Sequence, residues 1–248
     1  MTVLRRAQPW LGTLVEIGVP LDASSDPDAS SLVSQAVADA FAVIAQVQRR
    51  LSRFDPDSDV SRFHLAEVGQ PVSVNAHTRE VLRLAAQLHH QTGGLFDIAL
   101  GSGQWCLDAD GLWHKLTPDV RVDLGGIAKG YAVDMAMEAL CARSVSSAWV
   151  NAGGDLRVMG CNIPVDLRDE VQGGVRRWAQ IADTALATSY FGADARSALH
   201  GTAQARHVTV AAPRCAVADA LTKVVCQLGL DQAEPVLRFF QAQAWIHA

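Results

Sequence analysis

The apolar positions of the chain repeat with two different periods, and the change of period divides it. Between Leu14 and Val19, residues Val15, Ile17 and Val19 alternate with Leu14, Glu16 and Gly18, and Pro20 follows; this is the pattern of a strand with one covered face. The ten residues 21–30 then collect Asp, Ser and Pro. Ser30 or Ser31 stands where a helix N-cap is wanted, and Val33, Val37, Phe41, Ile44, Val47 and Leu51 recur at the spacing of one helix face. The same spacing predicts a second helix from about Thr78 through Val81, Leu84, Ala85 and Leu88, ended by Gly93-Gly94. A third follows Gly125-Gly126 and carries Ile127, Tyr131, Ala132, Met135 and Leu140.

Over residues 147–188 the period shortens to runs such as Ala148-Trp149-Val150, Leu156-Arg157-Val158 and Trp178-Ala179-Gln180-Ile181, separated by Gly, Asn and Asp turns. These predict strands and hairpins. His207-Val208-Thr209-Val210 gives another strand, stopped by Pro213, and helices from about Ala216 and Gln232 precede a last short strand from Ala244 to His247. Because strands and helices do not alternate strictly, the expected fold class is α+β, with mostly antiparallel sheets and packed helices, and not a doubly wound parallel sheet. No repeat, low-complexity tract or linker marks a boundary, so residues 1–248 are expected to form a single domain.

Composition narrows the function classes. Apolar residues make up 49% of the chain and charged residues 19%, which excludes a disordered chain and leaves no need for a metal or disulfide staple. Lys plus Arg number 21 against 26 Asp plus Glu, a net charge of −5; without a basic excess, nucleic acid and anionic membrane surfaces are not expected partners. The five cysteines, Cys106, Cys141, Cys161, Cys215 and Cys226, include no C-x-x-C pair and are odd in number, so they read as reduced, mostly buried thiols. Pro9, Trp10 and Gly12 stand where an apolar signal core would follow Arg5-Arg6, and no run approaches the length of a membrane span. The expected address is cytoplasmic.

The most informative polar segment is Asp123-Leu124-Gly125-Gly126-Ile127-Ala128-Lys129-Gly130, a strand end, a glycine pair and a helix start with a lysine in its first turn. Bare backbone N–H groups beside an ammonium suit a phosphate, although a tight βα turn with a solvated lysine would read the same way. Asn151-Ala152-Gly153-Gly154-Asp155 is a second glycine turn with an acid at a strand end, and Thr92-Gly93-Gly94-Leu95-Phe96-Asp97 a third, where a helix C-cap followed by a strand is the bland alternative. Asp219 precedes Thr222 and Lys223 by three and four residues on one helix; the plain alternative is a surface salt bridge. The eight histidines form no H-E-x-x-H and no i,i+4 pair, and neither a nucleophile elbow nor a P-loop is present.

Taken in order, Leu11-Gly12-Thr13, the run from Ser52-Arg53-Phe54-Asp55 to Phe63, Gly93-Gly94-Leu95-Phe96-Asp97, the Asp123 segment continued by Tyr131-Ala132-Val133-Asp134, Asn151 to Asp155, Ala187-Thr188-Ser189 and Ala218-Asp219-Ala220-Leu221 resemble the ApbE family of FAD:protein FMN transferases. The resemblance spans nearly the whole chain. It implies a T-fold-like α+β domain that binds FAD and, with Mg²⁺, transfers the FMN half to a Ser or Thr hydroxyl of an acceptor protein, releasing AMP. On the same basis Lys129 would hold diphosphate oxygens. Leu11, Gly12, Thr13, Phe54, Phe96, Asp97, Asp123, Gly153, Gly154, Asp155, Thr188 and Ser189 would line the flavin site. Mg²⁺ would take the Gly126 carbonyl and Asp219, oxygen ligands that suit a hard cation.

Three departures from the family's pattern bear on activity. Its metal helix reads A-D-A-L-x-T, but here Lys223 stands at the threonine's position and Thr222 one residue earlier. Lys223 either replaces Mg²⁺ as a built-in cation or swings away so that Thr222 serves. The family's H-I-I-D-P-x-T-G loop, whose histidine is the favoured base, is absent, and only His200 could stand in for it, with an exposed loop histidine as the alternative. Tyr190 replaces the glycine of T-S-G, and Leu11 the methionine of M-G-T. The alternative functions are an FAD-binding protein with a degenerate transferase site and an Mg²⁺-dependent FAD pyrophosphatase.

Overall fold

Strands β1 (Thr2–Trp10) and β2 (Thr13–Leu21) form a long antiparallel hairpin whose two turn residues, Leu11 and Gly12, both have positive φ, 56° and 71°. That geometry matches the right-handed twist of the strands it joins. The structure, a computed structural model, describes residues 2–21, 27–168, 173–191 and 206–247. After the hairpin come α1 (Pro27–Leu51), α2 (Asp59–Leu65), β3 (Pro71–Ser73), α3 (Ala76–Gln91), β4 (Trp105–Leu107), β5 (Leu112–Lys115) and α4 (Ala128–Ala142). The second half holds β6 (Ala148–Ala152), β7 (Asp155–Met159), β8 (Asn162–Arg168), β9 (Val175–Ala182), β10 (Ala185–Phe191), β11 (Arg206–Ala212), α5 (Cys215–Phe239) and β12 (Gln243–His247).

Seven strands make the main sheet, in the order β1-β2-β6-β7-β10-β11-β12, and every neighbouring pair is antiparallel. Strands β3, β5 and β4 form a small separate sheet, and β8 and β9 a hairpin. Helix α4 packs on β6 and β7, α5 on β10 and β11, and the two helices touch each other, so they share one face of the sheet; α1 lies against α4. Strand alternation then divides the core. Ala148, Val150 and Ala152 of β6 meet the helices, while Trp149, Leu156, Val158 and Leu186 form a second cluster on the opposite face, covered by Ile163, Val165 and Trp178 of the β8–β9 hairpin. The expected α+β class with antiparallel sheets is the observed one.

Several predicted elements change in outline. The strand over 14–19 is β2, and its partner β1 is mostly exposed, so it shows no one-sided pattern. The segment Ser30–Leu51 of α1 is apolar and long enough to cross a membrane by length and composition, contrary to the expectation that no stretch approaches that; in the fold Ala36, Val37, Ala40, Phe41, Ile44, Val47 and Leu51 enter the core. The two helices predicted from Ala216 and Gln232 are halves of α5, divided at Gly229, whose φ of 77° and ψ of 174° break the helical path. Of the cysteines, Cys215 and Cys226 are buried, Cys106 and Cys161 half-buried and Cys141 exposed.

Gly18 of β2 pairs in register with Trp149 of β6, and a β-carbon on Gly18 would overlap the indole ring. Trp149 is fixed there by its Nε1–H donating to Glu16 Oε1 (3.2 Å) and by the Arg5 guanidinium 5.2 Å from its ring centroid. Gly18→Ala is therefore expected to destabilise the protein by about 1–3 kcal/mol in urea denaturation, the usual cost of overpacking. A loss below about 0.5 kcal/mol would show that the indole moves aside freely.

Candidate active site

The site is built where the start of α4 meets the start of β7 and the second turn of α5. Asp123 shapes the approach to α4: its Oδ1 accepts from the Gly125 N–H at 2.8 Å, and its own N–H donates to the Ile98 carbonyl at 2.8 Å. Helix α4 has no side-chain cap at Ile127. Gly126 lies next to α5, because a β-carbon there would stand 3.6 Å from Lys223 Cε and 3.7 Å from the Phe96 ring.

Lys129, in the first turn of α4, pairs with Asp155 Oδ2 at the start of β7 and stands 3.5 Å from Asp219 Oδ2 on α5. One helical turn beyond Asp219, Lys223 pairs with its Oδ1 and donates to its main-chain carbonyl at 2.8 Å. Acids and ammonium groups thus touch in the order Asp155, Lys129, Asp219, Lys223. The side chain of Asp219 is 0% exposed and that of Asp155 2%, whereas Lys129 is 32% and Lys223 15% exposed. The carboxylates are the deeper members and the lysine side chains the partly exposed ones, so positive charge lies on the accessible side of the cluster. The surface salt bridge that i,i+4 spacing alone would give is here a buried one.

The electrostatics of the cluster follow from this layering. Burial, followed by the nearby Asp219 charge, pushes the Asp155 carboxyl up to about 6 against the pull of Lys129 and Lys223. Burial also acts to raise Asp219, but the Lys129 and Lys223 ammonium groups and the Gly130 N–H override it and hold Asp219 down to about 2. Burial would lower Lys129, yet the two carboxylates beside it hold its pKa above the ordinary lysine range.

The glycine turns close round the same place. Gly153 and Gly154 both have positive φ, 62° and 104°, and a β-carbon on Gly153 would strike the Thr13 side chain. The Gly154 N–H donates to Asn151 Oδ1 at 3.1 Å, and its carbonyl accepts from the Thr188 N–H at 3.2 Å. Leu11 and Gly12 are tied to α1 by the Leu11 N–H donating to Gln48 Oε1 at 2.6 Å. Thr222 Oγ1 lies 2.7 Å from the Asp219 carbonyl, to which it donates, and 2.9 Å from Ser189 Oγ. With its one proton on that carbonyl, Thr222 accepts from Ser189.

The structure thus joins Gly126, Lys129, Asp155, Ser189, Asp219, Thr222 and Lys223, with Thr13, Gly153, Gly154 and Thr188 adjoining. Other predicted residues are placed differently. Asp97, expected to bind a flavin edge, accepts the Ala99 and Gly101 N–H groups at 2.8 Å each, so its carboxylate organises its own turn. The strand expected after Gly93-Gly94 is a series of turns. Phe54 is 82% exposed under the Arg53 guanidinium, and Arg53 Nε reaches to 3.5 Å from Asp123 Oδ2, which sets Phe54 at the outer rim. Phe96 is buried beside Gly126. Tyr190 stacks at a tilt on His207, with ring centroids 4.9 Å apart. Thr188 Oγ1 is 3.0 Å from Thr209 Oγ1. His200 lies outside the described residues. A cavity of about 490 Å³ lined by Arg49, Arg50, Asp55, Asp57, Asn75 and His77 shares no residue with the cluster.

Two positioning residues, Gly130 and Asp134, stood within motifs noted in the sequence but had no role assigned to them. Gly130 lets α4 approach α5, since a β-carbon there would overlap the Cys215 carbonyl. Asp134, 0% exposed, receives the N–H groups of Cys215 and Ala216 at 2.9 and 3.0 Å and pairs with Arg157 at 2.7 Å. The available signal was an acid within the buried half of an apolar helix, where a lone charge demands partners.

A divalent cation fits these residues poorly. Mg²⁺ demands near-octahedral oxygens at about 2.1 Å. Asp219 Oδ1 faces the Lys223 ammonium, Oδ2 faces Lys129 and the Gly130 N–H, and Thr222 is turned into its own helix.

The molecule is thus an antiparallel α+β protein whose glycine turns and lysines converge beside one helix pair. Its sequence matches the ApbE family over residues 11–111 and 103–246, and the chain belongs to that family. It is 25% identical over 184 residues to a FAD:protein FMN transferase of Vibrio cholerae, covering 59% of this chain and 55% of that protein. With the one of Haemophilus influenzae it shares 27% identity over 157 residues, 49% of this chain and 45% of that protein. The matched stretches span about half the length of these relatives. In fold it is similar to the flavin transferase ApbE from Vibrio cholerae, with a TM-score of 0.80 and 20% identity over 99% of this chain and 93% of that one. The apo flavinyl transferase ApbE of Pseudomonas stutzeri gives 0.79 at 20% identity, covering 99% and 90%.

Proposed function

We propose that this protein binds FAD and transfers its FMN half to a Ser or Thr hydroxyl of an acceptor protein, with release of AMP. The observation that carries the reading is the convergence of residues from four separate family motifs, Gly126 with Lys129, Gly154 with Asp155, Ser189, and Asp219, on one spot capped by two ammonium groups. In the reaction the acceptor oxygen forms a bond to the FMN phosphorus, the bond from that phosphorus to the AMP oxygen breaks, and the hydroxyl proton leaves to base or solvent. Little covalent chemistry falls to the protein, so orienting the diphosphate and offsetting its charge are the main contributions. Lys129 supplies that positive charge from the α4 start, and the Gly153-Gly154 turn lets the ligand approach the backbone closely. Thr13 flanks that turn as a hydroxyl partner for the ligand, while Thr188 holds the turn through its main chain, its hydroxyl meeting Thr209 on the other face of the sheet.

The test mixes the full chain with FAD and an acceptor protein bearing an exposed Ser or Thr flavinylation motif, and reads AMP by chromatography and covalent flavin by mass. Equal amounts of AMP and acceptor-bound FMN are expected. AMP with free FMN instead would assign hydrolysis, and tight FAD binding with neither product would assign a binding protein.

A further inference from the structure

We infer that the Lys223 ammonium is the permanent counter-charge of this site, occupying the place of a divalent cation, so that phosphate binding here is independent of metal. The identity of the phosphate ligand rests on the function proposed above; the exclusion of metal rests on the geometry alone.

Lys223 sits against both residues, Asp219 and Gly126, that the family resemblance would assign to a cation. Its Nζ contacts both Oδ1 and the main-chain carbonyl of Asp219, while its Cε is 3.6 Å from where a β-carbon of Gly126 would stand. Both oxygens of the Asp219 carboxylate already face positive partners: Lys223 pairs with one, and Lys129 at 3.5 Å with the Gly130 N–H at 3.4 Å meets the other. A metal ion would have to displace an ammonium from a fully buried carboxylate and then sit beside two like charges. Nor is Thr222 free to serve in its place, since its hydroxyl donates to the Asp219 carbonyl and accepts from Ser189.

The ammonium is also suited to what remains for it to do. It has three N–H donors; two are engaged by Asp219, and the third is left for a phosphate oxygen on the partly open side of the cluster. A monovalent point charge offsets phosphate charge without imposing an octahedral arrangement of ligands on it. An ordinary i,i+4 surface pair would have an exposed acid and a wholly solvated lysine; here the acid is 0% exposed and the lysine 15%.

The test titrates the full chain with Mn²⁺, followed by the electron paramagnetic resonance of free Mn²⁺, with and without FAD, and follows FAD affinity by flavin fluorescence in EDTA and in Mg²⁺. For the wild type, no saturable Mn²⁺ site up to millimolar concentration is expected, and FAD affinity is expected to be equal in both buffers. Lys223→Met is expected to weaken FAD binding about tenfold, the loss of one charge-assisted hydrogen bond, with no rescue by Mg²⁺. Lys223→Thr, which removes the ammonium and adds an oxygen, is expected to acquire Mn²⁺ binding. Melting curves check that each variant folds. Saturable Mn²⁺ binding by the wild type, or FAD binding that requires Mg²⁺, would overturn the inference while leaving the transferase reading intact. Should no form bind FAD, the transferase reading fails, and the Mn²⁺ titration of wild type against Lys223→Thr still decides whether Lys223 excludes metal.

Discussion

Lys129→Met is expected to reduce the proposed AMP release and FMN transfer by at least about 100-fold, the scale at which removal of a preorganised charge acts on a developing anion. It is also expected to lower stability by about 2–4 kcal/mol near neutral pH, because Asp155 and Asp219 are left as buried neighbours with only Lys223 beside them. The pH dependence separates this from a simple packing loss. Asp155 titrates at about 6 in the folded protein against 3.8 for an ordinary aspartate. A group raised in this way contributes stability that is fully present below its unfolded value and lost as pH rises through its folded value. Removing Lys129, which pulls the Asp155 value down, raises the folded value further and moves that loss to higher pH. The variant's deficit relative to wild type is therefore expected to shrink as pH falls from about 7 to about 5, where Asp155 takes up a proton. Urea denaturation at the two pH values measures it; a deficit equal at both would mean that the protonation of Asp155 does not respond to Lys129.

The parts of the fold legible in the sequence are those where one period runs long enough. Helices α1 and α3 each show an apolar stripe over several turns, α4 is apolar nearly all round because neighbours cover most of it, and β2 alternates because one face is covered. Strand β1 lies at an edge with most residues exposed, and α2 and β3 have seven and three residues, too few for a period. At the site, the spacing of Asp219 with Lys223 was visible but its depth was not. Depth is set by how closely α5 approaches α4 at Gly130, a contact between residues 85 positions apart. The same limit applies to Asp97: an acid after a glycine pair reads alike whether it faces a ligand or its own turn, and only the fold shows that it holds the Ala99 and Gly101 N–H groups.

Asp134→Ala is expected to be the most destabilising single change in the neighbourhood, about 3–5 kcal/mol, because it strips a buried anion from several partners at once. Helix α5 begins at Cys215 without a side-chain cap of its own. Asp134, reaching across from α4, serves instead, its Oδ1 accepting from the Cys215 N–H and from Arg157 at 2.7 Å, and its Oδ2 from the Ala216 N–H with the Arg214 guanidinium 3.8 Å away. An alanine leaves two helix-start donors and a guanidinium without an acceptor, whereas Asp134→Asn keeps one oxygen and is expected to lose about half as much. The consequence reaches the chemistry, because Asp219 follows on the same helix and its place beside Lys129 depends on where α5 starts. In the fraction that stays folded, kcat is therefore expected to fall more than KM rises, the mark of groups misplaced rather than a ligand contact removed. If Asp134→Asn loses stability but keeps kcat, then the Gly130 contact with Cys215 alone holds α5 in register, and Asp134 serves the fold without serving the site.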